Sequence, residues 1–311
     1  MPLSHAANLT SAPMRSSGFG IAITLVLLCG CGGGDAGSGG SSFDGEQALK
    51  DVRTQVEIGP RPSGSPGAQK EAELIRKRLR SAGIGDVTIQ HPYRNVVARI
   101  SGSRPGVVVV GAHYDTKDIP EFVGANDGAS GVAILLGLAD ALPARMDGSS
   151  VDLVFFDAEE ARGKREFASD GDRGSRQFVA LAKAGGSQGA PPLRQMRSMV
   201  LFDMVGDCDL EIPHEATSDQ SLYDQFADAT NDLTGSSAPF EGESAGVGDD
   251  HTPFQEAGVP AVDLIDFTYG PGGAPGAYWH TPQDTLDKVC ADSLDAVGEA
   301  ALVAIPRIAD G

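Results

Sequence analysis

Basic residues are scarce in this chain: 24 Lys and Arg stand against 43 Asp and Glu, a net charge of −19 over 311 residues. That shortage excludes nucleic acid and anionic lipid as recognised partners, because both demand clustered Lys and Arg. Long apolar runs are missing too. Even Gly20–Leu28 (GIAITLVLL) falls far short of the ~20 residues a membrane-spanning helix needs. The four cysteines show no Cys-x-x-Cys spacing, which makes a thiolate zinc site a poor reading. No internal repeat is present, so a solenoid is set aside.

What stands at the start is a leader. Arg15 supplies a basic n-region, Gly20–Leu28 an apolar core, and Leu28-Cys29-Gly30-Cys31 reads as a bacterial lipoprotein cleavage box with Cys31 lipidated. A plain secretory signal cut at a small residue is the alternative. Gly32–Ser42 (GGGDAGSGGSS) then suits a flexible tether. The division is a leader over 1–31, a Gly/Ser linker over 32–45 and one folded domain over 46–311. That places the domain outside the cytoplasm, as a monomer whose only membrane contact is a lipid anchor, or as a secreted protein. Cys208 and Cys290 can pair in an oxidising compartment or stay as buried free thiols.

Over the domain, Ser65-Pro66 opens a helix, with Ala68, Ala72, Ile75 and Leu79 at helical spacing and Gly83 as its stop. Val87–Ile89 and Val96–Ile100 read as antiparallel edge strands, and Val107–Val110 as a strand buried on both faces. A helix over Gly131–Leu142, a strand over Val151–Phe156, a helix over Ser175–Ala182 and a strand over Met199–Val205 come next. A helix over Leu222–Leu233, a strand over Val259–Ile265 and a closing helix over Ser293–Ile308 complete the series. Such alternation implies crossover connections and a mostly parallel α/β sheet.

Polar groups recur where the apolar runs end: His113-Tyr114-Asp115, Asn126-Asp127-Gly128, Glu159-Glu160, Asp203 within LFDMV, and His280 in Tyr278-Trp279-His280-Thr281. In an open α/β sheet, ligands and catalytic groups collect at the carboxyl ends of strands. Residues two apart in an extended segment share a side, so His113 and Asp115 can face one site. Taken singly, each set has a plain reading as a surface turn, an internal salt bridge or a buried structural histidine. Adjacent carboxylates at a buried strand's end are harder to dismiss. They repel, and a cation that compensates one leaves the other to titrate. Two imidazoles and several carboxylates are also the ligand set of a catalytic zinc, with a Glu left to move protons.

Two other clusters compete. Gly242-Glu243-Ser244-Ala245-Gly246 matches the nucleophile-elbow pattern, but a polar loop surrounds it where a strand and a helix are required. Asp249-Asp250-His251 before Thr252-Pro253-Phe254 reads equally as a site element or a helix N-terminus.

In combination, His113-x-Asp115, Asp127, Glu159-Glu160, Asp203 and His280 resemble the superfamily of zinc aminopeptidases and glutaminyl cyclases. The resemblance spans essentially all of 46–311, including Gly59-Pro60-Arg61 and Gly64-Ser65-Pro66-Gly67. It implies a single zinc-dependent catalytic domain with a mixed, mostly parallel sheet flanked by helices on both faces. It implies that Asp127, Glu160 and His280 bind one zinc, and that in two-zinc aminopeptidases His113 and Asp203 complete a second site with Asp127 bridging. Asp115 orients a ligand, and Glu159 is the general acid/base. In the cyclases one zinc is usual, Asp203 acts beside the substrate with Asp250, and Trp279 lines the pocket.

Trp279 before His280, HYDTK at 113–117, Phe122-Val123-Gly124 and Gly174-Ser175-Arg176 look like the cyclases. The stretch ARGKREF after Glu160 lacks a Trp of the animal cyclases, and Gly128–Val132 (GASGV) looks like an aminopeptidase. The implied activity is conversion of N-terminal glutamine to pyroglutamate on peptides, with ammonia released. The alternatives are N-terminal peptide-bond hydrolysis and a non-catalytic, lipid-anchored binding protein.

Overall fold

The computed structural model describes residues 42–311. The leader, the box at Cys31 and the linker through residue 41 lie outside the described residues. Among the described residues there are eight strands: β1 (Val87–Ile89), β2 (Val96–Ile100), β3 (Val107–His113), β4 (Ser150–Phe156), β5 (Met196–Asp203), β6 (His214–Glu215), β7 (Glu243–Ser244) and β8 (Ala261–Ile265). Six form one sheet in the order β1-β2-β4-β3-β5-β8, and β6 pairs with β7 apart from it. From β4 through β8 every pairing is parallel; β1 and β2 are antiparallel. Only β1 of the predicted antiparallel pair is an edge, since β2 is bonded on both sides.

The helices are α1 (Gly45–Val56), α2 (Pro66–Ser81), α3 (Ala129–Ala141), α4 (Phe167–Asp170), α5 (Arg173–Lys183), α6 (Gln220–Thr234), α7 (Thr252–Glu256) and α8 (Ala291–Asp310). The valines of β3 show why helices flank both faces. Val108 and Val110 pack into one core with α1, α3 and α8, while Val107 and Val109 pack into a second with α5 and α7. Alternation along the strand sends each set to its own face. Neither face meets water, as a parallel sheet requires.

Helix α1 has no counterpart among the elements expected from the sequence, because GEQALKDVRTQV offers only Ala48 and Val52 as buried apolar anchors. Its position comes from the residues before it. Asp44 caps it by accepting from the Gln47 amide at 2.8 Å. Phe43 fills a slot between α3 and α8 that Gly137 and Gly298 leave open, where any Cβ would meet its ring within 2.4 Å.

Cys208 and Cys290 form a disulfide across a sequence separation of 82. It ties the loop after β5 to the N-terminus of α8, beside the Cys208 N–H to Lys288 carbonyl bond and the Cys290 N–H to Gly206 carbonyl bond. Closing so long a loop restricts the unfolded chain, an effect typically worth about 2–5 kcal/mol. Replacing both cysteines by serine is expected to lower stability by that amount in denaturant titration. An unchanged midpoint would show that the bridge constrains nothing the backbone bonds do not.

Candidate metal centre

Parallel pairing puts the carboxyl ends of β3, β4, β5 and β8 at one edge, and the site is built there. His113 is the last residue of β3 and Asp203 the last of β5. Glu159 and Glu160 come after β4, Asp127 precedes α3, and His280 lies in the loop after β8. Among the described residues three groups of potential ligand atoms result, each within 4.8 Å: Asp127, Glu160 and His280; His113, Asp127 and Asp203; and Glu159, Asp172 and Asp249. His280 Nε2 lies 2.9 Å from Glu160 Oε1 and 3.4 Å from Asp127 Oδ2. His113 Nε2 lies 3.3 Å from Asp127 Oδ1 and 3.2 Å from Asp203 Oδ1. The two oxygens of Asp127 are thus divided between the two histidines.

Asp127 Oδ2 and Glu160 Oε1 are buried and accept no hydrogen bond. Orphaned anionic oxygens facing an imidazole nitrogen fit a cation, and the all-nitrogen-and-oxygen donor set suits zinc. Burial opposes imidazolium at His113, yet hydrogen bonds to Asp127 and Asp203 outweigh it and hold the ring well above its usual range. At His280 burial is likewise overcome, by the Glu160 carboxylate 2.9 Å away and the charge of Asp127. Burial, then the neighbouring Glu160 charge, pushes the Glu159 acid well up.

The loops are fixed by groups behind the ligands. Asp115 accepts the backbone N–H of Glu159 at 3.0 Å and of Glu160 at 3.4 Å, so it orients the Glu pair through its amides. Arg61 is fully buried and donates to the carbonyls of Gln55, Gly59, Tyr114, Val123 and Gly124, clamping the loops that carry Asp115 and Asp127. Ala158, Asp172, Met204 and His280 all have positive φ, and each is a site residue or its neighbour. Conformations of that kind cost about 1–3 kcal/mol each and persist only where the surroundings enforce them.

Three residues were not singled out from the sequence. Asp284 Oδ1 accepts from the Asn126 amide at 2.8 Å and the Tyr269 hydroxyl at 2.7 Å, and Oδ2 accepts from the Asp127 amide at 3.1 Å. It therefore sets the backbone of a ligand, and its one sequence signal was its place four residues after His280. Lys117, inside the HYDTK phrase, donates to Glu160 Oε2 at 3.0 Å. Phe167 lines the cavity from within ARGKREF, supplying an aromatic where the expected Trp is missing.

One assignment is corrected. Asp249 lines the cavity, with one oxygen within 4.8 Å of oxygens of Glu159 and Asp172. Asp250, the expected partner of Asp203, is wholly buried toward Asp172 and Ser175 and does not reach the cavity. Asp249 and Asp250 are adjacent in the turn before α7, and the one-residue difference exchanges a cavity-lining group for an interior one. The elbow-like Ser244 is absent from the cavity, and its hydroxyl contacts the neighbouring Ala245 carbonyl.

The cavity encloses about 250 Å³. Trp279 stacks on His280 with ring centroids 3.8 Å apart, and Phe267 meets the indole edge-on at 5.4 Å. Val247, Ile265 and Phe167 complete the apolar wall, while Glu159, Asp203 and Asp249 face the same space.

This geometry is that of a metal-dependent hydrolase-like α/β domain, and similarity to known proteins agrees. The chain belongs to Peptidase family M28, whose model matches residues 95–305. A glutaminyl-peptide cyclotransferase-like protein of Mus musculus is 30% identical over 72% of this chain and 66% of its own length. The chain thus spans slightly under two thirds of that relative. The crystal structure of an Acidobacteriales bacterium glutaminyl cyclase superposes with a TM-score of 0.76 at 35% identity, over 89% of this chain and 98% of that one. A leucine aminopeptidase precursor from Bacteroides thetaiotaomicron shares the fold, with a TM-score of 0.70 at 24% identity over 86% and 98%.

Asp284→Ala strands three buried donors and frees the Asp127 backbone. Loss of such a supporting group typically weakens metal binding about 10–100-fold. Chelator competition is expected to register that loss with secondary structure intact; wild-type affinity would remove Asp284 from the site's support.

Proposed function

We propose that this chain is a zinc-dependent glutaminyl-peptide cyclotransferase, closing an N-terminal glutamine to pyroglutamate and releasing ammonia. The observation that carries it is the small cavity whose Trp279 wall stacks on His280 while Glu159, Asp203 and Asp249 converge on its interior. Asp127, Glu160 and His280 are the residues to hold zinc, which when bound polarises a carbonyl oxygen and stabilises negative charge on it. A glutamine side chain seated against Trp279 brings its γ-amide carbon toward its own α-amine. Glu159 takes a proton from that amine as the new C–N bond forms, then passes it to the departing amide nitrogen. Asp203 and Asp249 hold that nitrogen while it leaves as ammonia. The nucleophile is intramolecular, so orientation supplies much of the rate, and water takes no part.

A second reading, an aminopeptidase, is favoured by one feature: His113, Asp127 and Asp203 form a complete additional donor set. There Glu159 activates water against the first peptide bond. The reading of the chain as lipid-anchored outside the bacterial cytoplasm belongs to the same proposal, supported by the Cys31 box and by a disulfide suited to an oxidising compartment. Among the described residues no helix is long and apolar enough to cross a membrane.

Purified protein incubated with Gln-initiated and Leu-initiated peptides, with products weighed by mass spectrometry, separates the readings. Pyroglutamyl peptide from the first and no change in the second is expected; leucine release without ammonia loss from the Gln peptide sinks the cyclase. Glu159→Gln is expected to lower turnover about 10²–10⁴-fold while zinc stays bound.

A further inference from the structure

The loop from Ala161 to Glu166 borders the cavity mouth, since the residues at its two ends, Glu160 and Phe167, both line the cavity. Its composition runs against the rest of the chain. Arg162, Lys164 and Arg165 stand against Glu166 alone, in a protein of net charge −19, and residues 162–166 are all exposed. Arg162, Arg165 and Arg173 converge on the single carboxylate of Asp170, at 2.5, 3.0 and 3.0 Å. One carboxylate cannot neutralise three guanidiniums, so the cluster keeps an excess of positive charge. The Arg162 and Arg165 side chains still present 58% and 61% of their surface to solvent. Among the described residues Lys164 enters no ion pair. Asp170 also accepts the Arg162 backbone N–H at 2.8 Å, which holds the loop in place.

The cavity interior carries the opposite sign. Glu159, Glu160, Asp203 and Asp249 outnumber Lys117 there and suit an N-terminal amine, while the cations of the loop lie outside it. We propose that this loop is a subsite for acidic side chains downstream of the N-terminal residue of a peptide substrate. The inference rests on the cyclase reading for the residue inside the cavity and deepens it by assigning a charge preference to the residues beyond the first. An extended chain leaving the cavity advances about 3.3–3.6 Å per residue, which puts the third to fifth residues ~7–15 Å out. At physiological salt the Debye length is about 8 Å, so the loop acts locally while the acidic body repels such peptides from farther away.

The test uses Gln-Ala-Glu-Glu-Ala, Gln-Ala-Lys-Lys-Ala and Gln-Ala-Ala-Ala-Ala, with kcat and KM measured at low and high salt. The acidic peptide is expected to show a KM roughly three- to tenfold below the neutral one at low salt, with kcat unchanged and the gap closing at high salt. The double variant Lys164→Glu, Arg165→Glu is expected to lose the preference while the neutral peptide is turned over as before. Equal KM values for the acidic and lysine peptides in the wild-type protein overturn the proposal, as does a variant that slows all three alike. Anisotropy of the same peptides carrying a fluorescent C-terminal label reads the preference as binding. A failure of the cyclase reading, seen as no ammonia from any peptide, is therefore distinct from a failure of the subsite.

Discussion

Repulsion between like charges in a small space sets the terms for the rest of this molecule. Asp127, Glu159, Glu160, Asp203 and Asp249 line one cavity of about 250 Å³, with Asp115, Asp172 and Asp263 buried nearby. Two unit charges 4 Å apart repel by ~4 kcal/mol even at an effective dielectric of 20. Such a cluster persists only when cations or protons compensate it. Lys117 supplies one positive charge, and burial drives several of the acids toward their protonated forms. The convergence of Asp127 Oδ2, Glu160 Oε1 and His280 Nε2 supplies the place for a further cation.

Holding those anions together falls to the backbone and to groups that touch no substrate. Asp115 and Asp284 are themselves buried acids, and each is committed to backbone amides of the ligand loops. Arg61 closes the opposite side of the same loops with bonds to five carbonyls. The left-handed residues Ala158 beside Glu159, Met204 beside Asp203, and His280 itself mark sharp turns of the chain at this edge of the sheet.

The parts of the site legible in the sequence were polar residues that interrupt apolar runs, because a buried strand advertises itself and makes its last polar residue conspicuous. His113, Glu159-Glu160 and Asp203 all stood out in that way. Asp284 did not, since it lies in a polar loop where one more Asp carries no signal. The choice between Asp249 and Asp250 depended on a turn whose direction no pattern encodes. The sheet was readable from β3, β4 and β5, whose runs of Val, Leu and Phe fit only a strand covered on both faces. Helix α1 was invisible because its position depends on Phe43 entering a slot made by two distant glycines. Sequence spacing likewise cannot say whether Cys208 and Cys290 meet; the antiparallel bridge between Asp207 and Val289 brings them together.

The two donor sets share Asp127, and in each an imidazole competes with a cation for the same carboxylates. In the set around His280, Nε2 lies 2.9 Å from Glu160 Oε1 and 3.4 Å from Asp127 Oδ2, and these carboxylates raise the ring above its usual range, so a cation entering there displaces the imidazole's proton. In the set around His113, the Nε2 edge faces both Asp127 Oδ1 and Asp203 Oδ1, while Nδ1 contacts the Asp115 carbonyl. That set is already satisfied by a protonated ring, and a cation there must first expel the proton that neighbouring acids stabilise. Either set therefore takes up a cation in exchange for a proton, which couples cation binding at this site to pH.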